Sequence, residues 1–502
     1  MKYLKIILIA ISAIAFSVTG CKKILNQPIL GSYTPDNFFT TDANAQFAVN
    51  AAYSPLMFSS GTSNPLWVVG DVASDDAIKG GNTGDQADYE SVNEFNILPT
   101  NSAVEAMWGN YYDGVFKCNV VLDGLTNNTL VSDGVRKSCI AQAKFLRAYY
   151  YFILTTTFGN IPLRLKVETP AELQSPAIAQ DTIYSQIEKD CNDAIPDLQD
   201  PSSSVLLGVV TKGSAYALLA KVYLFDANLA NHYQLAAKAA QSVEDFGYYS
   251  LTNLYSDNFN AATKNNTEAV FTVNHISGVQ PNDLNTWFTP RDRGGWGFFY
   301  PTQDLVNHYE KAPTGEVDPR LDYTIGRAGE PYYDLGWDPS WTTTGYLCKK
   351  WIQPLSVIPQ NNRGQGNLNF EVIRYSEVLL IQAEALNESG QSSLALAPLN
   401  EVRKRARESY LYDTSLTGYG TIPNGLLPDI TTTDQSQLRD AIRQERRVEL
   451  ALEFDRFYDI IRYGAIYANT VLKAVSPNFD YNTNKWFPIP QSERDTNKKL
   501  GL

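Results

Sequence analysis

Residues 371–407 read EVIRYSEVLLIQAEALNESGQSSLALAPLNEVRKRAR. Apolar side chains recur at helical spacing on both sides of Ser389-Gly390, and that pair interrupts them. The spacing predicts a helix over 371–388, a turn at Gly390 and a second helix over 392–407. Two helices joined by so short a turn are expected to pack side by side. The same pattern lies upstream. Thr211 to Phe225 (TKGSAYALLAKVYLF) is alanine-rich and suits close helix packing, and His232 to Phe246 follows as its partner, ending at Gly247. Residues 140–156 (IAQAKFLRAYYYFILTT) place Ala143, Leu146, Tyr150 and Ile153 on one stripe before Phe158-Gly159-Asn160 breaks it. Residues 180–195 are amphipathic, with Asp181 as the expected cap. Residues 436–463 predict one long charged helix.

Each of the two pairs spans about 35 residues and resembles a tetratricopeptide unit of about 34 residues. Small residues stand where such units pack closely: Ala217, Ala220 and Ala236 in one, Ala383, Ala385 and Ala395 in the other. Stacked units bury a shared core and leave a surface for another protein. A generic helical bundle gives the same periodicity. Between the helices lie stretches at 61–100, 252–370 and 410–432, dense in Gly, Asn, Asp, Thr and Pro. They contain short β-like runs such as Ala269-Val270-Phe271-Thr272-Val273. The expected fold is mainly α: a tetratricopeptide-like α-α superhelical scaffold with a loop-rich half carrying short β-hairpins.

The N-terminus reads MKYLKIILIAISAIAFSVTGC. Lys2 and Lys5 precede an uncharged apolar run at 6–18, and Gly20 sits just before Cys21, the pattern of an export signal. The run is too short for a hydrocarbon core that needs about 20 helical residues. Val18-Thr19-Gly20-Cys21 resembles the bacterial lipobox, in which the cysteine is acylated and becomes the first residue of the mature chain. An ordinary secretory signal with a chance cysteine is the plainer alternative. Residues 1–20 are thus expected to be removed. Residues 21–37 would form a lipidated tether, poor in periodicity and containing Pro, Gly and Asn.

The 502 residues allow a large core, and the net charge is −13 at neutral pH. Loss of Lys2 and Lys5 would take it to −15, which argues against nucleic acid as a partner. Cys118, Cys139, Cys191 and Cys348 have no C-x-x-C spacing, so zinc and dithiol redox chemistry find no support. One disulfide is compatible with an oxidising compartment, and buried free thiols with a protein of this size. His232, His275 and His308 are scattered. No H-E-x-x-H, G-x-S-x-G, G-x-G-x-x-G or Walker A pattern occurs. No enzyme motif is thus found and no cofactor is expected, although a glycosidase, which needs only two carboxylates, stays open on sequence alone.

Three blocks carry a family resemblance. The first is Ile373-Arg374-Tyr375-Ser376-Glu377-Val378-Leu379-Leu380, continued by Ala383-Glu384-Ala385-Leu386-Asn387 and by Leu399-Asn400-Glu401-Val402-Arg403-Lys404-Arg405-Ala406. The second is Glu445-Arg446-Arg447-Val448-Glu449-Leu450-Ala451-Leu452-Glu453, then Arg456-Phe457-Tyr458-Asp459 and Arg462-Tyr463-Gly464. The third is Pro488-Ile489-Pro490-Gln491-Ser492-Glu493. With Ala143 to Phe152, Phe158 to Leu163 and Thr211-Lys212-Gly213, they resemble the SusD/RagB family from about Pro35 to the C-terminus. The resemblance implies an outer-membrane, surface-exposed lipoprotein that lies over a SusC-like TonB-dependent transporter. It would capture a nutrient, usually a glycan, without catalysis, and its helix pairs would face the barrel. It implies an N-terminal SusD-like helical region over 38–250 and a C-terminal region with ligand-side loops over 251–502, in one globule. A peptide-capturing member or a protein-interaction scaffold is the alternative. Lys22-Lys23-Ile24-Leu25-Asn26 lacks the acidic residue that often directs such lipoproteins to the surface. Read as residues, the second block is scaffold: Leu450, Phe454, Phe457 and Ile461 form a buried stripe. Glu445, Arg446, Glu449, Glu453, Arg456 and Asp459 can pair at i, i+3 or i+4.

The ligand is expected where aromatic side chains gather in loops. Trp287, Trp296, Trp337 and Trp341 bring half of the tryptophans into residues 287–341, with Phe298, Phe299 and Tyr300 nearby. Indole faces suit sugar C–H groups, and Asp283, Asn285, Arg291 and Asp292 are candidates for bonding hydroxyls. The same aromatics would equally serve to anchor long loops on the core. The loop 67–90 is a second candidate, with Trp67, Asp71, Asp75, Asp76 and Asn82. Its carboxylates lack EF-hand spacing for calcium.

Overall fold

The computed structural model describes residues 38–59 and 64–501. The signal, Cys21 and the tether lie outside the described residues. Nine helices form the frame: α1 (Asp42–Tyr53), α2 (Ser102–Leu125), α3 (Asp133–Phe158), α4 (Gln180–Ala194), α5 (Lys212–Phe225), α6 (His232–Glu244), α7 (Tyr375–Glu388), α8 (Ser392–Tyr412) and α9 (Gln435–Glu449). From α2 to α8 each packs on the one before it, and α9 returns onto α7 and α8. This is the tetratricopeptide-like helical stack that the periodicity predicts. Its starts follow local chemistry. Thr211 and Ser214 form a reciprocal capping box at α5, and the Asn101 and Asp434 side chains accept the free N–H groups of α2 and α9. Ala179, not Asp181, occupies the cap of α4, and Asp181 lies in its first turn.

Between α6 and α7 the chain leaves the stack. Residues 245–374 carry most of the short strands, and α6 packs directly on α7 where the chain returns. The strands are β1 (Ala77–Gly80), β2 (Ala269–Val273), β3 (Phe298–Pro301), β4 (Ile325–Arg327), β5 (Tyr346–Cys348) and β6 (Phe370–Arg374). The expected hairpins are instead two-stranded antiparallel ladders between distant stretches: β1 with β3, β2 with β6 and β4 with β5. Ladder β2–β6 closes the base of the insertion, with Thr272 opposite Glu371. Residues 371–374, expected as the start of a helix, are therefore strand. Val372 and Ile373 are β-branched and buried in the ladder, and the helix starts only at Tyr375.

The long helix expected over 436–463 is broken. α9 ends at Glu449, and α10 (Arg456–Arg462) begins after a segment in which Leu452 and Phe454 have φ of 63° and 75°. The cause is tertiary. The Phe454 backbone lies against Gly70, where a Cβ would come within 1.9 Å of the Phe454 carbonyl oxygen, so only glycine fits. The Asp71 carboxylate accepts the Phe454 N–H at 2.9 Å and the Arg456 N–H at 3.3 Å.

The charges of this segment pair mostly with distant residues rather than along a helix. Arg320 bonds Asp318 (2.7 Å), Glu445 (2.5 Å) and Glu449 (3.0 Å). Arg374 bonds Glu268 (2.6 Å), Glu449 (3.0 Å) and Glu453 (2.8 Å), and Arg405 bonds Glu268 (2.8 Å) and Glu449 (2.5 Å). Arg446 joins Glu377 to Asp459, and Lys350 joins Glu453. Only Asp459 to Arg462 pairs locally. The expected stripe is buried at Leu450, Phe454 and Phe457, while Ile461 is half-buried. One hydrophobic cluster extends from Phe39 to Leu500. Cys118, Cys139, Cys191 and Cys348 are buried free thiols. No helix of the described residues is long and apolar enough to cross a membrane.

Candidate ligand-binding surface

The aromatic cluster is real in space, and most of it is core. Trp67 is fully buried, ringed by Tyr89, Trp287, Phe288, Phe298 and Phe299 with centroids 5.3–6.2 Å away. Trp287 is 1% exposed, and its indole N–H donates to Asp283 at 3.2 Å. Trp341 is 9% exposed beneath the Arg293 guanidinium, 5.0 Å above its ring. Trp337 is half-buried against Tyr332, with ring centres 6.0 Å apart. The indole N–H groups of Trp67, Trp337 and Trp341 find no acceptor among the described residues, so ring packing holds these side chains. As ligand platforms, Trp67, Trp287 and Trp341 are corrected to structural anchors.

Trp296 is the exception. It is 43% exposed and stands edge-on to buried Trp287, with centroids 4.5 Å apart and an interplanar angle of 73°. The sequence Gly294-Gly295-Trp296-Gly297 explains how. Gly294 has φ of 86°, and a Cβ there would meet the Gln360 carbonyl oxygen at 2.0 Å. The chain therefore turns tightly across neighbouring loops and brings the next side chain out. The Trp296 N–H donates to Thr286 O at 2.8 Å and the Gly297 N–H to Thr289 O at 2.9 Å, which seats the loop on the helical turn Leu284–Phe288.

The loop after β1 meets this platform. The Gly81 N–H donates to Gly297 O at 2.6 Å, and the exposed Arg291 guanidinium pairs with Asp85. Asp85 also accepts the Asn82 N–H at 2.9 Å, and its carbonyl accepts from Lys79 Nζ at 2.6 Å. Gln360 Nε2 donates to Asp292 O at 2.8 Å. The resulting surface offers one indole face with a guanidinium, carboxylates and amides beside it. That combination suits a ligand with apolar ring faces and many hydroxyls.

Other sequence candidates serve the scaffold. Asp75 is buried between Arg456 (2.8 Å) and Arg447 (2.9 Å). Burial alone would raise its carboxyl, but Arg456 and Arg447 outweigh that and hold it at about 2. It is corrected from ligand contact to buried ion pair. Asp76 pairs with Arg447 at 2.8 Å, and burial, reinforced by Asp76, pushes the Asp71 carboxyl well up. Among the described residues no three or more His, Cys, Asp or Glu side chains are grouped so as to hold a metal ion. Asn285 is buried and holds Arg363, accepting from Nη2 at 2.9 Å and donating to its carbonyl at 2.6 Å. Asp283 orients Trp287. Of the sequence candidates, Trp296, Arg291, Asp292 and Asn82 are exposed. Asp85 and Gln360 join them without having been singled out. The turn Gly81-Asn82-Thr83-Gly84-Asp85 carried a signal for the first, and nothing in the sequence marked the second.

Comparison with known proteins agrees with this architecture. A SusD-like protein P2 from Formosa agariphila is 28% identical over 528 residues, covering 96% of both chains. A solved structure described as a laminarin binding SusD-like protein is 27% identical and superposes with a TM-score of 0.73, covering 92% of this chain and 99% of that one. Surface glycan-binding protein A from Bacteroides thetaiotaomicron, solved with laminarihexaose, is 26% identical with a TM-score of 0.75, covering 92% and 98%. The model for the SusD family matches residues 254–501, and one described as starch-binding associating with outer membrane matches residues 6–224. With helical stack, signature residues and both matches in agreement, the chain belongs to the SusD/RagB family.

Proposed function

We propose that this protein captures a carbohydrate at the Trp296 surface and hands it to a SusC-like TonB-dependent transporter, breaking no bond itself. The carrying observation is Trp296, an exposed indole braced by a fully buried aromatic base and flanked by Arg291, Asp85 and Asn82. A rigid platform loses little entropy when a sugar ring stacks on it. The laminarihexaose-bound relative supports a glycan of some kind without naming the one used here. The description that matches the N-terminal half supports attachment to the outer membrane, and Cys21 is the residue proposed to carry the lipid, with the helical stack as the face towards the transporter.

The test is a screen of the chain from residue 22 onward against neutral and acidic polysaccharides and against peptides, with Trp296→Ala beside it. Glycan binding that Trp296→Ala weakens supports the proposal. Binding to peptides alone overturns it. Co-purification of the lipidated protein with a TonB-dependent barrel from outer membranes tests the transporter step.

A further inference from the structure

A second cavity shares no residue with the Trp296 surface. It is a cleft of about 480 Å³ in the insertion, walled by Phe259, Tyr323, Tyr333, Val357 and Leu368. That volume falls in the range of ~300–1,000 Å³ typical of small-molecule sites, which are apolar with a few placed polar groups. Its one charged lining residue is Lys349.

Two features set this cleft apart from a packing defect. Tyr333 has φ of 52°, a strained conformation for a non-glycine residue, and is 37% exposed. Its hydroxyl donates to the Lys349 carbonyl at 3.3 Å. The Lys349 ammonium lies 5.1 Å from the Tyr333 ring centre and donates to the carbonyls of Asp322 (2.8 Å) and Pro331 (2.9 Å). An ammonium has three N–H bonds, so one remains. Among the described residues no carboxylate forms an ion pair with it: Asp322, Glu330 and Asp413 act on it only through space, with Arg327 opposing them. Burial pushes its pKa down, the mark of a cation short of both water and counter-charge.

We propose that this cleft binds a ring bearing a single carboxylate, its flat apolar face on Tyr333 and its carboxylate on Lys349 Nζ. The aromatic and aliphatic walls favour a C–H or π face, and the unpaired ammonium selects an anion. Such a ring can come from a hexuronate unit or from an aromatic acid. The site is independent of the carbohydrate reading at Trp296.

The probes are glucuronate and 4-hydroxybenzoate, each against its methyl ester, measured by saturation-transfer NMR and titration calorimetry on the chain from residue 22 onward. At least one acid should bind at least tenfold more tightly than its ester, and which acid it is identifies the source of the ring. Val357→Glu, at a 49% exposed wall position, should weaken that binding at least tenfold with the melting temperature unchanged. Lys349→Met should abolish the preference for acid over ester. Trp296→Ala should change nothing at this cleft, which separates failure here from failure of the glycan reading. No binding of either acid at millimolar concentration, equal binding of acid and ester, or insensitivity to Val357→Glu would overturn the proposal.

Discussion

Trp287 and Trp296 are in contact, yet alanine should do opposite things to them. Trp287 is 1% exposed and packs on Trp67, Tyr89, Trp296 and Phe298. Its removal leaves a cavity and costs about 3–5 kcal/mol. Unfolding entropy is about 2.1 cal/mol/K per residue, so a chain of this size gains roughly 1 kcal/mol/K and the melting temperature should fall by about 3–5 °C. Trp296 is 43% exposed, and its loop is held by backbone bonds from its own N–H and from that of Gly297. Alanine there removes one edge contact with Trp287, worth about 1 kcal/mol, so melting should shift by about 1 °C. A lost sugar stack of about 1 kcal/mol weakens binding roughly fivefold. Calorimetric melting and titration with laminarihexaose, or with whichever glycan the screen returns, measure both variants. A Trp296→Ala protein with unchanged affinity and a melting temperature several degrees lower would refute the platform and leave both residues as core.

Glu371 on β6 is buried, accepts the Thr272 hydroxyl, and is pushed up by burial from 4.5 to about 7. A raised carboxyl stabilises the fold fully below its unfolded pKa, and that contribution is lost as pH rises through 7. Glu371→Gln should remove roughly 3 kcal/mol of this pH dependence, seen as a smaller drop in melting temperature between pH 5 and pH 8 than in the parent. Glu449→Ala strips a carboxylate from Arg320, Arg374 and Arg405 at once and should cost about 3–5 kcal/mol or prevent folding, read by denaturant unfolding. An unchanged midpoint would mean the network is dispensable. Cys21→Ala should move the protein from the outer-membrane pellet to the soluble fraction, and retention in cells lacking the transporter would show another anchor.

What could be read from the sequence follows from how local each cause is. The α3, α5, α6 and α8 helices are written in their period, with Ala143, Leu146, Tyr150 and Ile153 all buried, whereas the one cap expected from sequence, Asp181, falls in the first turn of α4. The break after Glu449 was not readable, because its cause is Gly70 and Asp71, hundreds of residues away. The strand at 371–374 was hidden by helical periodicity that continues through it, and only its partner at 269–273 decides its state. The tryptophan cluster was readable as a cluster and unreadable as a surface. Composition shows that aromatic rings gather, but which ring faces water depends on packing from Tyr89, Phe288 and Phe298, and on a turn that Gly294 permits.

The residues that carry the family resemblance and the residues at the candidate ligand surface are different sets, and the ion network shows why. Glu268 precedes β2, Arg374 ends β6, Arg405 lies on α8 and Glu449 ends α9. Together they fasten the insertion, at the point where it leaves and rejoins the stack, to the helices that carry it. Such desolvated charges tolerate only one geometry, since loss of a partner leaves the other buried and unpaired. They therefore constrain the sequence tightly while touching no ligand. Burial would raise the Glu449 carboxyl, but Arg405, Arg374 and Arg320 hold it far below the usual range, so at neutral pH it has no proton to give and no freedom to take one. Glu449 is thus committed as a carboxylate to the three guanidinium groups around it. The loops it supports, with Trp296 and Tyr333 at their surface, meet no comparable constraint, and a change of ligand there need not disturb the clasp beneath.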